Sequence, residues 1–181
     1  MKPVLSMLSA VSALAALAVA TLPAMAQEID FPARKAGQWE IKMAPETPGA
    51  MPEQTIKACI DAASDKQMMA AGFSMSKSMC SRQEISRDGE DYVIDSTCQI
   101  GPMTATSHIV ISGDFESAYT VKMTSEMSGA AMAGMPGTNN MTQEARWISD
   151  ACTDGMAPGD MLMPGGMKVN INDMMKMFGG G

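Results

Sequence analysis

The sequence has a single histidine, His108, no run of basic residues, and aromatic residues at only 4% of its length. Ser-His-Asp and Cys-His catalysis both need a histidine base, so every such scheme must pass through His108. That residue stands in an alternating stretch beside Ser107 and out of phase with Ile109, where a strand-surface position is the simpler account. No two cysteines are close enough for a Cys-x-x-Cys redox centre or a zinc knuckle. The loop Asp88-Gly89-Glu90-Asp91 lacks the ligand spacing of an EF-hand and reads as an acidic hairpin tip. With a formal charge of −7 and a pI near 4.6, nucleic acid and anionic lipid surfaces are poor partners. No catalytic constellation remains, and the chain is expected not to be an enzyme.

What is present begins with an exit signal. Met1-Lys2 precedes an apolar run over residues 4–22, and Leu22-Pro23-Ala24-Met25-Ala26-Gln27 offers the small residues at which signal peptidase cuts. A membrane-spanning helix is the rival, since the run is long enough to reach across a bilayer. The small, weakly apolar composition and the Ala-Met-Ala site favour cleavage after Ala26 and no stable membrane insertion afterwards. No cysteine precedes Cys59, so lipid attachment at the cut is excluded. The mature chain is expected in the periplasm, where four cysteines pair as two disulfides.

From Gln27 onward the dominant signal is alternation of apolar and polar residues. It predicts strands over residues 38–43, 54–60, 80–86, 92–98, 103–112, 118–127 and 142–152. A short helix is predicted over 61–72, capped by Asp61 or Ser64 and ended by Gly72. Trp39, Ile41 and Met43 share one face, as do Tyr119, Val121, Met123 and Met127. Residues 128–140 read as a loose hairpin loop. Consecutive strands with short turns predict a mainly β fold, an antiparallel meander forming a curved sheet or a partly closed barrel. Residues 27–152 make this one domain. Residues 153–181, rich in Gly, Pro and Met, read as a flexible C-terminal tail with at most a helical turn near 170–177.

The expected disulfides are Cys80–Cys98 and Cys59–Cys152. Cys80 and Cys98 are equidistant from Gly89, so an odd-length loop centred there sets them opposite each other. A two-residue Asp88-Gly89 turn would instead set Cys80 against Thr97 and require a bulge. Cys59 and Cys152 remain, near the ends of an early strand and the last one.

A family resemblance then emerges from an ordered set of segments. They are Gly37-Gln38-Trp39-Glu40-Ile41, Pro48-Gly49-Ala50-Met51-Pro52, the stretch 54–60 ending Cys59-Ile60, Cys80, Cys98, Met103-Thr104-Ala105-Thr106, Ser112-Gly113-Asp114 and a last strand closing on Cys152. Over residues 36–152 the chain resembles the exported bacterial proteins grouped as domain of unknown function 3617. The ending Ser149-Asp150-Ala151-Cys152 departs from that family's usual Gly-Asp-Cys. The resemblance implies a fold and a compartment and carries no activity.

Methionine is the compositional oddity, 22 residues of 181. It serves as adaptable apolar filler where Leu and Phe are scarce, and Met-rich surfaces accommodate varied partners. A non-enzymatic module binding an apolar ligand or a protein partner in a Met-lined concave sheet is the leading expectation. Thioether sulfur also suits Cu(I), and Met161-x-Met163, Met175-x-Met177 and Met132-x-x-Met135 bring sulfurs near one another. Met161, Met163, Met175 and Met177 are therefore the candidate ligands of a Cu(I)-handling alternative, with oxidant scavenging as a variant of it.

Overall fold

A computed structural model describes residues 31–46, 52–129 and 137–179, with side chains to residue 176. The leader expected over 1–26 and its expected cleavage site, residues 47–51, Met132, Met135 and the Met177 side chain lie outside the described residues. The elements in chain order are β1 (Gly37–Pro45), β2 (Gln54–Ile60), α1 (Ala62–Met79), β3 (Cys80–Asp88), β4 (Asp91–Ile100), β5 (Met103–Asp114), β6 (Ala118–Ser128) and β7 (Thr138–Ser149). Two short strands, β8 (Asp160–Leu162) and β9 (Lys168–Asn170), and a helix, α2 (Ile171–Gly179), follow.

Among the described residues, nine strands form one antiparallel sheet, ordered β3-β4-β5-β6-β7-β1-β2-β8-β9. Strands β3 to β7 lie side by side in chain order, which is the predicted meander. The two end strands, β3 and β9, do not pair with each other, so the sheet is open among the described residues.

Side-chain alternation gives this sheet one apolar face. Its core is Trp39, Ala58, Ile60, Tyr119 and Ala145, with Ile41, Ile111, Val121 and Trp147 packed against it. Trp39 is completely buried, and its indole N–H donates to the Lys35 carbonyl at 2.8 Å, so the buried donor is satisfied. Gly37 opens β1 with φ +127°, a region an L side chain rarely adopts, and a Cβ there would run into the Ser149 carbonyl. The few aromatics form a chain of ring contacts: Trp39 to Tyr119, Tyr119 to Phe115, Phe115 to Tyr92, Tyr92 to Phe31, and Phe31 to Phe73, each with centroids 4.6–6.0 Å apart.

The hairpin β3–β4 turns later than in either predicted register. Gly89-Glu90 is the turn, with Gly89 at φ +62° and Asp88 facing Asp91. That register alone would set Ser81 against Cys98. A bulge between Cys80 and Arg82 absorbs the extra residue and brings Cys80 opposite Cys98, to which it is bonded. The second disulfide joins Cys59 to Cys152.

Helix α1 runs on past Gly72 to Met79, beyond its predicted end. Topology supplies the reason. The chain must pass from β2 to β3 across six inter-strand spacings, about 29 Å. Eighteen helical residues cover about 27 Å, whereas a helix stopped at Gly72 would cover only about 16 Å.

The segment past Cys152 also departs from its prediction as an appended tail. Strand β8 pairs with β2, Ala58 facing Met161, and Met156 and Ile171 are buried. Without β8 the outer edge of β2 would leave backbone groups unpaired beside the core. Three-residue strands show too little alternation to be recognised in sequence. The helical turn predicted near 170–177 is α2.

Candidate functional site

The region with the most unusual chemistry lies where α1 crosses the apolar face. Asp61 caps the helix: its carboxylate accepts from the Ser64 N–H at 2.7 Å, and the Ser64 hydroxyl oxygen accepts from the Asp61 N–H at 2.9 Å. The residues of α1 that are fully buried are polar, Ser64 and Asp65. Asp65 is met by Arg34. The Arg34 backbone N–H donates to Oδ2 at 2.9 Å and its Nε to Oδ1 at 2.7 Å, while Nη2 lies 2.6 Å from Oδ1. Nη1 donates on to the Tyr119 hydroxyl at 3.3 Å, linking helix, N-terminal segment and sheet. Burial acts to lower the Arg34 pKa, but Tyr119 and Asp65 outweigh it and the value is raised. The guanidinium stays charged in a site where its side chain is 12% exposed.

Beside this network the sheet carries a row of apolar residues in strict register. Ile85 faces Ile94, Ile94 faces Ile109, Ile109 faces Met123, Met123 faces Met141, and Met141 faces Pro45. All six lie on the face that carries Tyr119 and Trp39, yet none belongs to the core cluster, and each is half-buried. The row crosses six strands, about 24 Å. At its β3–β4 end the row reaches the two strands that α1 contacts before it joins β3. Met43 and Met127 extend the same face on either side of Met141 and Met123.

The other sequence candidates fall elsewhere. His108 stands on the polar face opposite Asp95, whose Oδ1 is 2.8 Å from Nδ1. A carboxylate does orient this imidazole, but both side chains are about half exposed, so no dry site surrounds them. A solvent-open hollow of about 310 Å³ lies farther along, among Ser112, Thr120, Glu144 and Arg146, and His108 does not line it. The acidic loop 88–91 is a hairpin tip. Of the tail methionines, Met161 packs against the core, Met163 follows β8, and Met175 is exposed on α2. Arg34, Phe31 and Phe73 carried no sequence signal, and Asp65 looked like an ordinary first-turn acid on a helix.

Fold and face together define a small disulfide-bonded β protein with a helix laid over an apolar sheet surface. The chain belongs to the DUF3617 family, described as proteins of unknown function, which matches residues 34–152. No curated protein and no solved structure matches it. The matched span opens on Arg34, the partner of Asp65, and closes on Cys152, the partner of Cys59.

Proposed function

We propose that the protein is a non-enzymatic binding module of the periplasm that takes an apolar, long-chain ligand along the row from Ile85 to Pro45. The observation that carries this reading is the register of that row, six half-buried apolar residues on six adjacent strands outside the core cluster. A narrow strip about 24 Å long matches an extended acyl chain better than a compact ring system. Methionine at its centre fits ligands of varied shape, because the unbranched thioether adapts. Two disulfides suit an oxidising compartment, and Ala24-Met25-Ala26 supplies the route there.

The test is native mass spectrometry of the full chain, expressed with its leader and recovered from the periplasm. The expected species begins at Gln27 and carries a lipid adduct. A Met123→Glu, Met141→Glu variant should lose the adduct while keeping its β-sheet circular dichroism. Lipid-free protein that also ignores a dansylated fatty acid would overturn the reading, and a co-purifying protein in its place would redirect it to a macromolecular partner.

Support for Cu(I) handling by Met161, Met163, Met175 and Met177 is thinner, since Met161 is engaged with the core while Met175 sits on another element. Oxidant scavenging fits better the exposed Met75, Met79, Met167 and Met175.

A further inference from the structure

The two halves of α1 are held by different means. The first half has the Asp61 cap, the Arg34–Asp65 ion pair and the Arg34 contact to the Met68 sulfur at 3.4 Å. Beyond Gly72 the contacts thin out. Met75 and Met79 are 46% and 41% exposed, Ser74, Lys77 and Ser78 are exposed, and the ring pair Phe73–Phe31 is an apolar tie to the body. At its end the helix passes directly into Cys80, bonded to Cys98 on β4. Gly72 sits at the junction. Its φ is not positive, and a Cβ built there would meet nothing within 4 Å. Neither packing nor backbone conformation requires glycine at this point, and glycine weakens a helix interior relative to alanine.

We infer that residues 72–79 form a hinged flap that lifts from β3 and β4 to admit the apolar ligand to the row that starts on those strands. Gly72 is the hinge, and the Cys80–Cys98 disulfide is the tether that holds the opened flap to the sheet. The outward placement of Met75 and Met79 leaves little apolar contact to break when the flap lifts. The ligand-admitting role rests on the binding reading proposed above, whereas the hinge itself does not.

Hydrogen exchange on the full mature chain tests the hinge. Amides of 73–79 should exchange as one block, at least tenfold faster than those of 66–71, and Gly72→Ala should slow that block about fivefold while leaving 66–71 unchanged. The same substitution should slow binding of a dansylated fatty acid by a similar factor, and Cys80→Ser, Cys98→Ser should speed it. Equal protection in the two halves, or a Gly72→Ala chain that exchanges as before, overturns the flap whatever the probe does. If the block behaves as expected and the probe never binds, the hinge stands and the lipid reading fails. A probe that binds Gly72→Ala at the wild-type rate removes the flap from the entry route.

Discussion

The two ends of the sheet are built differently. Around β1 and β2 the interior is closed: Trp39, Ala58, Cys59 and Ile60 are at most 2% exposed, and a long-range disulfide ties Cys59 to Cys152. Around β3 to β5 no residue of β3 is buried, Tyr92 and Ala105 are the buried apolar residues of β4 and β5, and the disulfide there is local. Full burial of large side chains contributes most of a domain's stability, and half-buried apolar rows are what ligand sites offer. The closed end therefore carries most of the stabilising burial, whereas the row of the proposed binding site starts at the half-buried end and reaches β1 only at Pro45.

The largest test of that division compares the disulfides. In the chain-entropy model, the Cys59–Cys152 loop of separation 93 contributes about 5 kcal/mol and the Cys80–Cys98 loop of separation 18 about 3 kcal/mol. Cys59→Ser, Cys152→Ser should therefore lower the stability measured by denaturant unfolding more than Cys80→Ser, Cys98→Ser does. Equal losses would break the comparison. Next comes truncation after Cys152. Burial of Met156 and Ile171 and the packing of Met161 on the core predict a loss of about 3–5 kcal/mol. A truncated chain melting within a few degrees of the full one would restore the tail to the appendage its composition suggested.

A third effect concerns the junction between the two ends. Asp65→Ala leaves the Arg34 guanidinium buried without its carboxylate and should cost about 3 kcal/mol. The apolar pair Arg34→Met, Asp65→Leu should recover most of that loss. Failure to recover would mean that the bond to Tyr119, and not the charge pair, holds α1 in place.

The legible parts of this fold were those written within one strand or one helix end. The alternation of β2 gave residues 54–60 as the structure has them, and Asp61 announced the helix through its own side chain. What spans distant segments was not legible. Each member of the Ile85 to Pro45 row showed as an inward position of its strand, but their alignment depends on register across six strands, and the β3–β4 register itself shifts at a bulge. The Arg34–Asp65 pair joins residues 31 apart with no intervening periodicity. Gly72 read as a stop signal because glycine usually is one, and only the distance from β2 to β3 shows why the helix continues.

The smallest prediction concerns how the tail is fastened to the closed end. Asp160 is buried at the start of β8 and accepts from the Ala157 N–H at 2.9 Å and the Asn170 amide at 2.7 Å, with Lys168 Nζ at 3.6 Å. Above all the Ala157 bond, then the Asn170 bond, holds its carboxyl below the ordinary value of 3.8, against the opposing effect of burial, and Lys168 adds to the lowering. A carboxyl whose folded pKa is depressed adds stability that is complete above its unfolded value and is lost as the pH falls through the folded one. Docking of the tail should therefore hold from about pH 6 down to about pH 4 and weaken below that. Asp160→Asn keeps an acceptor but does not titrate. It should lower the melting temperature at neutral pH by about 2–4 °C and remove the part of the acid sensitivity that belongs to the tail. The readout is hydrogen exchange of β8 and β9 between about pH 6 and pH 3, corrected for intrinsic rates. If the wild-type chain and Asp160→Asn loosen in parallel on acidification, the carboxylate is not what fastens the tail, and its docking rests on the packing of Met156, Met161 and Ile171.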